Sequence, residues 1–114
     1  MKPLDVRFDH VGLVARDPAR TAAFYCTLLQ GEEVYYGPLL TVQAGAVELA
    51  ISPLAPGASL DHPRDLHVGL RVPPEALPAL KERLARLGAP FQEVDGRLYT
   101  RDPDGLTVEF DAGA

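Results

Sequence analysis

Residues 10–13 read His-Val-Gly-Leu, and residues 67–70 in the second half of the chain read His-Val-Gly-Leu again. The surroundings repeat as well, because each stretch lies in an extended run that is followed by a helical stretch and then by three short strand-like runs. A chain of 114 residues has room for two such units around a shared core. The repeat therefore predicts an α+β chain with the element order βαβββ in each half.

The first half is predicted to hold one helix and four strands. Asp17 suits the N-cap of that helix, and Pro18 suits its first position, where the missing N–H does no harm. The helix is expected to continue to about Gln30. The strands are expected at residues 6–15, 32–36, 39–43 and 46–52.

The second half is predicted to repeat this order. Leucines at three- and four-residue spacing indicate a helix that ends near Leu87, and Gly88 suits the left-handed position that follows it. Asp-Gly pairs, which favour tight turns, separate the last three strands. The strands are expected at residues 66–72, 91–94, 97–101 and 106–111.

These boundaries divide the chain into two modules within one domain. The first module is predicted at residues 1–52 and the second at residues 65–114. Residues 53–64 are rich in Pro, Gly, Ala and Ser, which is typical of a linker.

Composition and charge exclude several classes of protein. Sixteen Asp and Glu residues against eleven Lys and Arg residues give a net charge of −5 without a basic cluster, so nucleic acid is not an expected partner. Nowhere do about 20 apolar residues follow one another, so no membrane-spanning helix is predicted. The charged N-terminus and the lone Cys26, which cannot form an internal disulfide, lead us to expect a cytoplasmic protein in which Cys26 packs as a small apolar side chain.

Four strands combine an aliphatic face with an opposite face that carries one His or Glu among small residues. Because side chains alternate along a strand, Val11, Leu13 and Ala15 share one face of the first strand, opposite the histidine of the repeat. A purely structural open face should carry solvated charged residues, so small neighbours indicate room for a bound group. The four residues, in chain order, are His10, Glu48, His67 and Glu109.

Two imidazoles and two carboxylates are a suitable ligand set for a first-row divalent ion with five or six ligands. We therefore predict one divalent metal ion per site, which would be Ni, Co, Mn, Fe or Zn. Such an ion can act as a Lewis acid on a carbonyl and stabilise an enediolate, while a weakly bound carboxylate serves as general base.

Each of these residues alone has a simpler interpretation. A single His on a half-buried strand is usually a hydrogen-bonded structural residue, and a single Glu can be an edge charge. The recurrence of a His and a Glu in each half favours the metal site. His62, in the linker, is expected to be a solvated residue without a role.

The chain resembles the vicinal oxygen chelate superfamily, which includes glyoxalase I, fosfomycin-resistance proteins, methylmalonyl-CoA epimerase, extradiol dioxygenases and bleomycin-binding proteins. The resemblance implies paired βαβββ modules whose strands form a cup-shaped mixed β-sheet with the helices outside. It extends over nearly the whole chain and rests on the segments Asp9–Leu13, Phe24-Tyr25, Leu66–Leu70 and Arg101–Gly105, and on Val108-Glu109-Phe110.

The resemblance also implies roles for individual residues. The four positions that bind metal in glyoxalase I are occupied here by His10, Glu48, His67 and Glu109. Family members with three ligands would use only His10, His67 and Glu109. Glu109 is the first candidate for the catalytic base and Glu48 the second. A homodimer is expected, because a partner chain often supplies half of each site in this family.

The implied activity is that of a metal-dependent lyase or isomerase of the glyoxalase I type, acting on a small oxo-substrate. The alternative is a metal-free binding protein of the bleomycin-resistance kind, which the acidic net charge suits. The chain departs from the bacterial glyoxalase pattern at Ser52, where an amide is expected, and by one extra residue before Gly31.

Substrate-binding candidates lie on two strands of the second half. Tyr99 and Arg101 share a face with Arg97, and Arg71 shares a face with His67. Guanidinium groups at these positions suit an anionic substrate group. A solvated outer face is the alternative interpretation.

Overall fold

A computed structural model describes residues 2–112 of the chain. Its two halves have the predicted order of one strand, one helix and three further strands. The elements are β1 (Val11–Ala15), α1 (Pro18–Leu29), β2 (Glu32–Tyr36), β3 (Leu39–Ala44), β4 (Val47–Pro53), β5 (His67–Arg71), a short 3₁₀ turn (Pro74–Ala76), α2 (Leu77–Leu87), β6 (Phe91–Val94), β7 (Arg97–Arg101) and β8 (Thr107–Asp111).

The strands form two four-stranded sheets, in the orders β1-β4-β3-β2 and β5-β8-β7-β6. In each sheet the first strand of the module pairs in parallel with the last, and the other pairs are antiparallel. Both sheets are therefore mixed, which confirms the predicted α+β fold of tandem βαβββ modules.

The helix ends follow the predicted chemistry. The side chain of Asp17 accepts a hydrogen bond from the backbone N–H of Arg20 (3.2 Å), as an N-cap does. Gly88 ends α2 with a φ of 68°, in the left-handed region. Pro78 lies in the first turn of α2, where a proline is tolerated because that turn needs no N–H donor.

One strand differs clearly from its prediction. The first strand was expected to begin at residue 6, but β1 begins at Val11. Its partner β4 begins at Val47, and Val11 lies opposite Leu49, so residues before 9 extend past the end of β4. Alternating side chains alone do not make a strand, since a backbone needs a neighbour with which to share hydrogen bonds.

Apolar side chains from both helices and both sheets form one core. The aliphatic face of each sheet is buried in it, and α1 contacts α2. The most deeply buried side chains include Leu28, Leu84 and Phe110. None of the helices in the described range 2–112 is long and apolar enough to span a lipid bilayer.

Two buried carboxylates join the modules. They belong to Asp102 and Asp104, which lie in the turn before β8. The Asp102 carboxylate accepts hydrogen bonds from the Tyr25 hydroxyl on α1 (2.7 Å) and from two backbone N–H groups of its own turn. The Asp104 carboxylate accepts from the Thr21 hydroxyl (2.7 Å) and from the backbone N–H of Arg16 (2.9 Å). We call these two carboxylates and their partners the module clamp.

The module clamp stabilises the fold because a buried carboxylate without donors is costly. Burial, together with the adjacent Asp102 carboxylate, raises the pKa of Tyr25 well above its usual value. The phenol therefore remains protonated and continues to donate its hydrogen bond at any pH at which the fold is stable.

Tyr25→Phe is expected to lower the free energy of unfolding by about 1–3 kcal/mol, because a buried carboxylate oxygen of Asp102 loses its donor. Urea unfolding followed by circular dichroism measures the effect. Tyr35→Phe is the matched control, since Tyr35 is exposed, and it should leave stability unchanged. Equal stability of the two variants would contradict the assigned role of the Tyr25–Asp102 bond.

Candidate metal centre

His67 and Glu109 lie together on the open face of the second sheet. His67 Nε2 is 3.8 Å from Glu109 Oε1. In the parallel pair of β5 and β8, Gly69 lies opposite Glu109, so the carboxylate reaches the ring of His67 diagonally. A Cβ added at Gly69 would meet nothing within 4 Å, so the space above this glycine is open.

Both histidines of the repeated His-Val-Gly-Leu stretch have one ring nitrogen engaged and the other available. His67 Nδ1 is 2.9 Å from the backbone oxygen of Asp65, and a carbonyl oxygen can only accept, so Nδ1 carries the hydrogen. His10 Nδ1 is likewise 2.6 Å from the carboxylate of Asp9. In the neutral imidazole this arrangement leaves the Nε2 lone pair free, as a metal-binding histidine requires.

His10 and Glu48 form the corresponding pair of the first sheet. Val11 on β1 lies opposite Leu49 on β4. His10 comes just before Val11 and Glu48 just before Leu49, so these two residues lie at the same level of the two neighbouring backbone segments. Within residues 2–112, no hydrogen bond or ion pair joins them.

The two glutamates are not equivalent, although the sequence repeats. Glu48 is level with its histidine, whereas Glu109 lies opposite Gly69, two residues beyond His67. The residue opposite His67 is Thr107. The shared strand face was predicted from alternation, but this offset of two residues in register was not.

The four predicted ligands do not meet within one chain. The two sheets have no strand pairing between them. Among the described residues, no group of three or more His, Cys, Asp or Glu side chains is close enough to hold a metal ion. A single chain therefore holds two separate His-Glu pairs, His10 with Glu48 and His67 with Glu109, which we call the two half-sites.

A cleft of about 730 Å³ lies beside His67 and Glu109. It is lined by two of the predicted substrate-binding residues, Tyr99 and Arg101, and Tyr99 lies opposite Glu109 in the sheet. The cleft is also lined by side chains that were not singled out from the sequence, namely Arg64, Phe91, Gln92 and Thr107. Arg64 lies in a loop, where no periodicity signals which way a side chain points.

The third substrate-binding candidate, Arg71, is not among the residues that line this cleft. Its guanidinium lies 3.7 Å from the carboxylate of Asp111, which is opposite it on β8. The structure thus brings Tyr99 and Arg101 to the half-site and places Arg71 at the far end of β5.

Cys26 and His62 lie outside the two His-Glu pairs. Cys26 on α1 is partly exposed, and burial, followed by the charges of Glu33 and Glu32, raises the pKa of its thiol. A raised pKa disfavours the thiolate, which is the nucleophilic form of the side chain. His62 is partly buried and lines a smaller cleft of about 210 Å³ beside β1 and β5.

Neutral His67 is expected to be the Nδ1–H tautomer, because the Asp65 carbonyl oxygen holds that hydrogen. Long-range ¹H–¹⁵N correlation spectra distinguish a protonated Nδ1 from a protonated Nε2. His62, for which no ring hydrogen bond is found in the described chain, serves as the reference and should show a mixture of tautomers. A protonated Nε2 in His67 would contradict the assignment.

Comparison with known proteins identifies the family of this chain. The family model described as the Glyoxalase/Bleomycin resistance protein/Dioxygenase superfamily matches residues 7–110. A search of curated protein sequences finds no match.

Solved structures share the fold over almost their full length. A variant of the fosfomycin resistance protein FosX from Listeria monocytogenes, complexed with Mn(II) and 1S,2S-dihydroxypropylphosphonic acid, is 22% identical, with 97% of this chain and 93% of that chain covered and a TM-score of 0.81. The FosX protein from Mesorhizobium loti is 21% identical, with 97% and 95% covered and a TM-score of 0.81.

A glyoxylase/bleomycin resistance protein/dioxygenase domain from Frankia sp. EAN1pec is 25% identical, with 96% of this chain and 98% of that chain covered and a TM-score of 0.81. The resemblance drawn from the sequence is thereby confirmed. Because the family model covers nearly the whole chain, this protein belongs to the Glyoxalase/Bleomycin resistance protein/Dioxygenase superfamily.

Proposed function

We propose that this chain is a metal-dependent enzyme of the glyoxalase type, an isomerase or lyase that moves a proton on a small oxo-substrate. The observation that carries the proposal is the pair of His67 Nε2 and Glu109 Oε1, 3.8 Å apart beside an open cleft. Tyr99 and Arg101 line the same cleft and offer a hydroxyl and a guanidinium to a bound molecule.

The pair is suited to a divalent ion in both chemistry and spacing. Two ligands that are each about 2.0–2.2 Å from one ion lie roughly 3–4 Å apart, which is the separation of these two atoms. The hydrogen bond from His67 Nδ1 to Asp65 orients the ring with its free nitrogen toward Glu109. When bound, a metal ion would supply Lewis acidity that stabilises negative charge on substrate oxygens.

Two ligands are too few for a firm site, so we propose that a second copy of the chain completes it. His10 of that copy would be the third ligand and Glu48 the fourth, in agreement with the ligand pattern of glyoxalase I. The register offset supports a different role for Glu48, because it lies level with its histidine while Glu109 does not. In a three-ligand site Glu48 would remain free as the second candidate base.

Glu109 is the proposed proton acceptor. Its side chain is only 18% exposed, so the carboxylate is partly removed from water. Glu109 would take the proton from a hydroxyl-bearing carbon next to a carbonyl and return it to the former carbonyl carbon, while the hydroxyl proton passes to the former carbonyl oxygen, which interconverts two isomers without a net change in atoms. The Tyr99 hydroxyl would donate a hydrogen bond to a substrate oxygen, and Arg101 would bind an anionic group.

A solved FosX structure that shares this fold at 22% identity holds Mn(II) and 1S,2S-dihydroxypropylphosphonic acid. For this chain a divalent ion and a small oxygen-rich ligand are proposed from the His67–Glu109 pair and the cleft beside it. A metal-free drug-binding protein is the alternative, favoured by the net charge of −5.

The purified chain is expected to bind about one divalent ion per chain in titration calorimetry with Mn(II), Ni(II), Co(II), Fe(II) or Zn(II). His67→Ala should weaken this affinity at least about 100-fold, because loss of a ligand costs more than loss of an outer-sphere partner, which costs about 10–100-fold. His62→Ala is the matched control and should bind as the parent does.

A parent chain that binds none of these ions would contradict the enzyme proposal and leave the metal-free binding protein as the better account. Equal loss of affinity in His62→Ala and His67→Ala would contradict the placement of the site. Once an ion is identified, the loaded protein can be tested for exchange of carbon-bound protons in adducts of 2-oxoaldehydes with thiols.

A further inference from the structure

The two histidines of the repeated His-Val-Gly-Leu stretch are held by different groups. His67 Nδ1 lies 2.9 Å from a backbone oxygen, that of Asp65, two residues earlier in the chain. His10 Nδ1 lies 2.6 Å from a side-chain carboxylate oxygen, that of Asp9, the residue just before it. The ring of His10 is therefore fixed by a group that one substitution removes, whereas the ring of His67 is fixed by the main chain.

Strand pairing explains why His10 depends on a side chain in this way. Strand β5 begins at His67, which lies opposite Thr107, whereas β1 begins at Val11, so His10 precedes the paired part of its strand. A residue outside the ladder has no hydrogen-bonded neighbour that fixes its backbone. Within residues 2–112, the Asp9 carboxylate is the only hydrogen-bonding group found at the His10 ring.

The two contacts have the same consequence, although the residues that precede the two histidines differ. In each case an acceptor oxygen lies at Nδ1, which places the hydrogen there and leaves the Nε2 lone pair available. For the third histidine, His62, no ring hydrogen bond is found in the described part of the chain. The shared ring state is thus reached by two unrelated contacts, and it occurs at the two histidines that are the proposed metal ligands.

We propose that Asp9 is a positioning residue that acts through His10. Its carboxylate holds the neutral ring as the Nδ1–H tautomer and leaves Nε2 as the ligand atom. This assignment rests on the proposed function, in which His10 is a ligand of the metal ion. A carboxylate at the outer nitrogen also makes the imidazole more basic, which strengthens its bond to a divalent ion.

The contact contributes little to the fold itself. The side chain of Asp9 is 88% exposed, and exposed ion pairs add little to stability. Removal of this carboxylate should therefore leave the fold intact and change the state of the His10 ring. That separation makes the proposal testable with a single substitution.

Asp9→Ala tests the proposal in two measurements. In the metal-free protein, long-range ¹H–¹⁵N correlation spectra should show neutral His10 as the Nδ1–H tautomer in the parent and as a mixture of tautomers in the variant. In titration calorimetry with the ion that the parent binds, the variant should bind about 10- to 100-fold more weakly, as is typical when a ligand loses its outer partner. The melting temperature of the metal-free protein should not change.

Asp5→Ala is the matched control, because it removes the same charge from an exposed side chain four residues before Asp9. It should leave both the His10 tautomer and the metal affinity unchanged. The proposal would be overturned if Asp9→Ala kept the tautomer or the affinity of the parent, or if Asp5→Ala lost affinity equally. If the parent binds no ion, the metal proposal fails, and the spectra alone decide whether Asp9 holds the ring.

Discussion

The module clamp is the constraint on which the rest of the structure depends. The carboxylates of Asp102 and Asp104 are buried, and their donors come from Arg16, which directly follows β1, from α1 and from their own turn. A buried charge keeps its position only where its hydrogen bonds are complete, so this turn has a fixed place against the first module. The next strand, β8, carries Glu109, which means that the helix of one module helps to position the candidate base on the other.

The two faces of each sheet have different surroundings in a single chain. The aliphatic faces of both sheets are used in one core with the helices, and the faces that bear the histidines remain open. Each open face carries one His and one Glu, and the described residues bring no three metal-binding side chains together. This separation of the two His-Glu pairs is the reason for proposing that a second copy of the chain completes the metal site.

Much of this arrangement could be predicted from the sequence. The repeated His-Val-Gly-Leu and the alternation around it gave the order of elements and the faces of His67 and Glu109, because a strand face depends only on parity. The register did not follow, since the offset between Glu48 and Glu109 depends on long crossover connections in each module. The start of β1 was wrong because a strand ends where its partner ends, and Arg64 was missed because loops have no period.

Mixing two defective chains is the measurement that tests the shared site most directly. His10→Ala and His67→Ala chains, each unable to bind metal alone, would be unfolded together, refolded as a mixture and titrated with the ion that the parent binds. If each site takes His10 from one copy and His67 from the other, random pairing restores about a quarter of the parent's sites. A mixture that binds no more metal than its separate components would contradict a site shared between two copies.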